Sequence, residues 1–337
     1  MNYSGIDLHS TNSVIVVSDE TDRVVCQRRV PNELSAVLAL LAPYREQLAG
    51  VVVESTYNWY WLVDGLQAAG YRVQLANTAA IKRYEGLKHS GDDTDAAYLA
   101  QLLRLGILPT GYICPPPERA LRDLARKRLQ LSRSRTLHIL SVEGNLARQT
   151  GARISSRALK QLSEETLQTF GLLENVTAAM AANVAVIQTL NGQIEKLEAR
   201  LRSQVRPQAQ FGLLTTAPGI GEILATTIML ETGPIERFAG VGNFASYARC
   251  VDSKRLSNGK KKGEGNVKNG NQYLAWAFVE AANFARRYCP EAKRFYERKK
   301  ARTNNIVATK ALAHKLARAC YHMLKEKKPF EVTRCFA

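Results

Sequence analysis

The sequence of 337 residues is short of several things at once. Its six cysteines, Cys26, Cys114, Cys250, Cys289, Cys320 and Cys335, form no Cys-x-x-Cys pair and have no histidine at ligand spacing. A disulfide framework and a zinc site are set aside, and reduced thiols in a cytosol are the expectation. No apolar run reaches the roughly 20 residues that a membrane helix needs. The opening MNYSGIDLHS has no basic segment followed by an apolar one, so no secretory signal is read and a cytoplasmic location is expected. Acids are also scarce: 30 Asp and Glu stand against 47 Lys and Arg, a formal net charge of +17. An excess of this size favours a polyanionic partner, nucleic acid being the common one, with a basic surface kept for solubility as the plain alternative.

Against that scarcity, KHSGDDTDAAYLA places Asp92, Asp93 and Asp95 within four positions. The chain around it alternates in period. SGIDLHS, NSVIVVSD and RVVCQRRV predict three consecutive strands in an antiparallel meander. PNELSAVLALLAPYREQL predicts a helix with Pro31 near its start, GVVVEST a central strand, NWYWLVDGLQAAG a helix ending on Gly70, and YRVQLAN a fifth strand. A mixed sheet with helices on its faces follows. Tyr57, Trp59, Tyr60 and Trp61 fit packing of the second helix better than base stacking.

Three prolines in GYICPPPERA mark a boundary. One long helix is expected from Glu118 to about Gly151, with Arg119, Arg122, Arg126 and Arg133 on a shared face that suits a phosphate backbone, or else a solvated bundle face. Ile187, Leu190, Ile194, Leu197 and Leu201 form an a/d seam, for a coiled coil or for antiparallel packing on the preceding helix. TTAPGIGEILATTIMLETG predicts a helix-hairpin-helix-like turn whose backbone N–H groups favour phosphate, with simple packing as the alternative. DSKRLSNGKKKGEGNVKNGNQYL then predicts a flexible basic loop between helices, a place for function.

Asp7 interrupts the first strand and Glu54 ends the fourth; a carboxylate among strand residues is costly unless paired, hydrogen-bonded or metal-bound. Asp92 and Asp95, three apart at a helix head, project from one face. Four such acids closing on one place need a cation, and Mg²⁺ is the oxygen-loving choice, able to support both oxygens of a phosphoryl transfer. The alternative for the helix acids is complementing the macrodipole, with Ser90 or Asp92 as N-cap, and Asp93 is assigned to that role. His9, His89, His138, His314 and His322 form no sequence cluster and are assigned no role.

GIDLH, then VVVEST, then DDTDA before a leucine-rich helix resembles the DEDD, RuvC-like N-terminal domain of insertion-sequence transposases related to the Piv DNA invertase, the bridge-RNA-guided recombinases. APGIGEILATTIML followed by KRLSNGKKKGEGNVKNGNQYLAWAF is similar to that family's C-terminal transposase domain. The resemblance spans nearly the whole chain. It implies an α/β plus all-α protein: an RNase H-like (RuvC-like) DEDD domain over residues 1–110, a helical or coiled-coil linker and oligomerisation region over 111–205, and a helical transposase domain over 206–337.

Carried onto this sequence, the family's acids fall on Asp7, Glu54, Asp92 and Asp95, and its nucleophilic serine on Ser257, with Ser253 the nearby alternative. Arg249-Cys250-Val251-Asp252 replaces a Gly-Leu-x-Pro element, Asn258 precedes the usual glycine, and Ser90-Gly91 stands where Lys-Thr or Lys-Ser is common. By itself a serine in SNGKKKG reads as a turn residue, with no adjoining histidine to activate it. Lys254, Arg255, Lys260, Lys261, Lys262, Lys268 and Asn271 surround it as phosphate-binding candidates. The resemblance implies attack by Ser257 on DNA to form a phosphoserine link, assisted by Mg²⁺ at the four acids. It also implies donor and target DNA, a structured guide RNA, a dimer assembling to a tetramer, and action at a bacterial nucleoid. A metal-dependent structure-specific nuclease without serine chemistry, and a non-catalytic nucleic-acid scaffold, are the rivals.

Overall fold

In the computed structural model, described over residues 1–81, 91–151, 153–251, 254–264 and 269–336, alternation of apolar and polar residues near the N-terminus yields a six-stranded mixed sheet. Its strands are β1 (Asn2–Leu8), β2 (Asn12–Ser18), β3 (Val24–Pro31), β4 (Leu48–Glu54), β5 (Val73–Ala76) and β6 (Thr110–Gly111), in the order β3-β2-β1-β4-β5-β6. The first three form the expected antiparallel meander, and β4 and β5 join β1 in parallel. This arrangement accords with an RNase H-like domain. The two-residue β6, antiparallel to β5, was not anticipated, because so short a pairing leaves no periodic signal.

Helix α1 (Leu34–Leu41) is shorter than expected. Pro31 closes β3 instead of opening the helix, and the chain tightens into a 3₁₀ turn over Ala42–Gln47, with Pro43 near its start. Helix α2 (Tyr60–Ala68) ends as expected, with Gly70 in the left-handed region at φ 85°. Both helices cover one face of the sheet, where Ile6, Leu8, Ile15, Val17, Val51 and Val53 meet Val37, Leu41, Leu62, Val63 and Leu66. The other face carries Val14, Val16, Val52 and Ala76 against α3 (Asp92–Arg104), through Ala96 and Leu99.

Gly5 brings α3 down onto that second face. A Cβ there would lie 1.9 Å from the Ala96 carbonyl oxygen and 2.9 Å from the Ala100 nitrogen, so only glycine admits the helix backbone. The helix is held at its far end by Arg104, whose Nε and Nη2 each donate to Asp22 at 2.6 Å. This bidentate contact pulls the Asp22 pKa below its ordinary value against the opposing effect of desolvation.

The remaining helices are α4 (Pro116–Thr150), α5 (Ser156–Lys160), α6 (Glu164–Gln168), α7 (Glu174–Val205), α8 (Ala209–Thr215), α9 (Glu222–Thr232), α10 (Val241–Tyr247), α11 (Gln272–Tyr288), α12 (Pro290–Arg302), α13 (Asn305–Glu326) and α14 (Val332–Phe336). Between α10 and α11 the described residues form a hairpin of β7 (Lys254–Ser257) and β8 (Lys260–Glu264). Helices α4 and α7 pair antiparallel: Arg128 donates to Glu198, Arg135 to Asn191, and His138 meets Asn183. Ile139, Val142 and Leu146 pack with Met180, Val184 and Ile187 in the same pairing. The a/d seam is therefore spent within the chain, Ile187, Ile194 and Leu201 being buried.

Two compact units result, residues 1–116 with 254–269, and residues 117–253 with 270–337. The helical middle, set apart in the sequence expectation, groups with the C-terminal helices. Leu121 of α4 and Val205 of α7 join the C-terminal core around Phe244, Phe278 and Leu316. No helix among the described residues is long and apolar enough to cross a membrane.

Two expectations follow. Gly5→Ala should cost about 1–3 kcal/mol, the usual cost of overpacking, seen as a lower urea midpoint. The Asp22–Arg104 contact should contribute in full above the ordinary carboxylate pKa of 3.8 and be lost as pH falls through the depressed folded value. Acid unfolding followed by circular dichroism should consequently flatten in Asp22→Asn below about pH 4.

Candidate metal centre

Side chains alternate along a strand, so Gly5 and Asp7 share the face of β1 that meets α3. Pairing confirms it: Asp7 lies opposite Val14, whose side chain packs on Ala96. Ile6 is in register with Val53 of the parallel neighbour, so Asp7 lies beside Glu54 at the same end of adjacent strands, and Glu54 shares the face of Val52. Asp92 is the first residue of α3 and Asp95 lies one turn on, toward the row of Leu99. All four predicted acids are thus placed on one face at one end of the sheet. Gly91 is the N-cap, in place of Ser90 or Asp92, and Thr94 Oγ1 donates to the Gly91 carbonyl at 2.6 Å.

Among the described residues, the tightest convergence is of Asp7, His9 and Asp92, whose ligand atoms lie within 4.8 Å of one another. Asp7 is buried, at 4% exposure. His9 Nε2 stands 3.5 Å from Asp7 Oδ2 and 3.2 Å from Asp92 Oδ2. Glu54 and Asp95 are not part of this close group. His9, assigned no role from sequence, is the residue that was missed; the signal was its i, i+2 spacing from Asp7, which places both on one side of an extended segment. Arg29 Nη2 donates to Asp92 Oδ2 at 2.6 Å and Arg29 Nη1 to Asn12 Oδ1 at 2.8 Å. Arg29 is the main cause that lowers the Asp92 pKa, with burial opposing and His9 assisting. Two carboxylates beside an imidazole nitrogen fit a divalent cation.

Ser257 ends β7, and its backbone is in register with Lys260. Asn258 and Gly259 between them have φ of 48° and 71°, the left-handed pair that closes a two-residue hairpin of the I′ kind. Over its described residues 254–264, the expected loop is a hairpin turned by Asn258-Gly259. Lys260 is exposed; the side chains of Lys254, Arg255, Ser257, Lys261 and Lys262, and the whole of Ser253 and Lys268, lie outside the described residues. The hairpin belongs to the same compact unit as the sheet.

Asn271 takes a different role from the phosphate contact expected of it. It is buried and caps α11, its Oδ1 accepting from the Tyr273 and Leu274 nitrogens at 2.8 and 3.1 Å. Its Nδ2 donates to Glu231 Oε2 at 2.7 Å. Glu231 is in turn gripped by Arg126 through Nε and Nη2 at 2.6 and 2.7 Å, and the guanidinium stacks 4.5 Å from the Tyr273 ring centroid. Burial would lower the Arg126 pKa, but the Glu231 carboxylate outweighs it and holds the pKa above the ordinary value. Arg126 is therefore committed inside the second unit, and Arg119 is buried as well. Arg122 is half-buried, which leaves Arg133 the exposed member of the expected stripe. Spacing places side chains on one face without saying which side that face presents.

The Pro218-Gly219 turn also serves packing. A Cβ on Gly219, at φ 82°, would fall 2.3 Å from the Ala281 carbonyl oxygen of α11. At the head of α9, Glu222 accepts from Arg202 and Arg206, so a carboxylate already occupies the helix start.

Comparison with known proteins agrees with this geometry. Residues 4–150 match the profile of the DEDD_Tnp_IS110 transposases, and residues 212–297 match that of the Transposase IS116/IS110/IS902 family. A "Probable family 20 transposase" of Pseudomonas aeruginosa is 26% identical over 97% of this chain and 98% of its own length. An "Insertion element IS110 uncharacterized 43.6 kDa protein" of Streptomyces coelicolor is 24% identical over 46% of this chain and 38% of its own length. Two segments of the chain thus match transposase profiles of the IS110 type, and the protein is an enzyme of DNA strand cleavage and transfer. The DEDD domain also implies use of a divalent metal.

Removing one partner of the buried pair should be costly. Glu231→Gln is expected to lower stability by about 1–3 kcal/mol, because it removes the bidentate charged contact of Arg126 and leaves Asp123, 3.8 Å away, as the nearby acid, read from denaturant unfolding.

Proposed function

We propose that this protein is an RNA-guided DNA transposase, a site-specific recombinase of a mobile element, that cuts and rejoins DNA through Ser257 with a divalent cation at Asp7, Glu54, Asp92 and Asp95. The observation that carries it is the convergence of Asp7, His9 and Asp92 at one end of the sheet, with Glu54 and Asp95 placed toward the same end. A divalent cation, Mg²⁺ or a relative, would supply charge neutralisation at the reacting phosphate and lower the pKa of an attacking hydroxyl.

The chain's own residues account for the rest. Asp7, nearly buried and fixed in a strand, gives the site a rigid origin; Asp92 and Asp95 are delivered by a helix that cannot slide, because Gly5 seats it. The backbone of Ser257 ends β7 beside a turn whose two central residues are left-handed, which supports its reading as a nucleophile held on a tight turn. In the transfer, Ser257 Oγ loses its proton and bonds to phosphorus while one deoxyribose oxygen leaves and takes up a proton. Attack on that phosphoserine by another sugar hydroxyl reverses the exchange and rejoins the strand, so bond energy is conserved and no energy carrier is required. Grouping of the hairpin with the acidic sheet in one unit supports a composite site. The net charge of +17 supports binding of DNA and of a structured RNA that selects sites by pairing. Exchange between two duplexes calls for several active sites, hence a dimer assembling to a tetramer.

Ser257→Ala should abolish a covalent protein–DNA adduct on denaturing gels and abolish recombination while DNA binding persists; undiminished cleavage would instead favour a metal-dependent nuclease. Asp7→Ala, Glu54→Ala, Asp92→Ala and Asp95→Ala should each slow recombination by at least ~100-fold, with circular dichroism unchanged. Intact activity in all four would leave a non-catalytic scaffold. Rewriting the pairing segment of the guide RNA should move the insertion site.

A further inference from the structure

We propose that His9 is itself a ligand of the cation, through Nε2, making the centre a mixed nitrogen and oxygen site that holds Mn²⁺ more tightly than Mg²⁺. This rests on the reading that Asp7 and Asp92 bind a divalent cation.

His9 is held in place by its backbone from three directions. Its N–H donates to the Asn12 carbonyl at 2.9 Å, and its own carbonyl accepts from Asn32 Nδ2 at 3.0 Å and from Asn58 Nδ2 at 2.9 Å. These contacts come from the β1–β2 turn, the segment after β3 and the segment after β4, so His9 is fixed where the strand ends meet. Its Nε2 is buried and makes no hydrogen bond of acceptable geometry, although two carboxylate oxygens lie 3.5 and 3.2 Å away. A buried polar atom is normally satisfied. An unsatisfied imidazole nitrogen between two carboxylates has the placement of a ligand atom for a shared cation.

The rival role is an imidazolium that neutralises Asp7 and Asp92 by charge alone. Asp92 already has a cation for that purpose, since Arg29 reaches its Oδ2 at 2.6 Å. An imidazole donor moves preference away from Mg²⁺, which favours an all-oxygen shell with several waters, and toward first-row transition ions.

The test uses full-length protein loaded with one equivalent of Mn²⁺ and pulsed electron paramagnetic resonance, which detects a directly bonded ¹⁴N nucleus. The wild type should show that coupling. His9→Gln should lose it and bind Mn²⁺ at least ~10-fold more weakly, with Mg²⁺ affinity changed much less, while His89→Gln should keep the coupling. Mn²⁺ bound without nitrogen coupling in the wild type would overturn the ligand role of His9 and leave the carboxylate site standing. Mn²⁺ binding unchanged in Asp7→Asn would overturn both. Because the decisive spectrum is that of the wild type, the result does not depend on any variant folding.

Discussion

One close approach organises the first unit: the backbone of α3 resting on β1 at Gly5. The apolar side chains Val14, Val16 and Val52 cover neighbouring parts of that face, while at Gly5 a Cβ would run into the helix backbone itself. The acids on the two elements are consequently set by main-chain geometry, with little freedom left to side-chain rotamers. Asp7 sits two residues beyond Gly5, and Asp92 lies one turn before Ala96. The bidentate hold of Arg104 on Asp22 then removes the remaining freedom of the helix to pivot.

The second unit has a comparable fixed point in Glu231. This buried carboxylate near the end of α9 joins Arg126 of α4, the α11 cap at Asn271 and, through Asn271, the Tyr247 hydroxyl. The hairpin segment leaves this unit after α10 and returns just before Asn271. Its two stems are tied where they part, by Asn271 N–H on the Tyr247 carbonyl and Arg249 on the Gly270 carbonyl.

Periodicity made much of this legible in the sequence. The β1 to β5 succession, α2 with its Gly70 stop and the long α4 all follow from apolar spacing and breakers, and the order of the four acids followed from their isolation among strand and helix-start residues. What escaped was information held between elements. Nothing local distinguishes Gly5 from any other strand glycine until the helix above it is known. Arg119 and Arg126 have the spacing of a shared face, yet the chain turns that face toward Glu231 and the core. Asn258-Gly259 is a hairpin signal, yet a segment rich in Gly, Asn and Lys reads equally as a flexible loop. His9 lacked neighbours in sequence and acquired them only where three segments meet.

The sheet has one long open margin, β3, since β6 at the other side is only two residues. A free margin offers unpaired backbone groups to any passing strand, including one from a second copy of the chain. Here Val24 and Val25 are exposed along it, and the protection comes from Arg28, Arg29 and the terminal Pro31, charges and a missing N–H that make edge-on pairing unfavourable. Arg29 therefore answers to two pressures, solubility of the free protein and electrostatic balance at Asp92. A substitution chosen to tune the metal centre through Arg29 would also loosen the guard against aggregation.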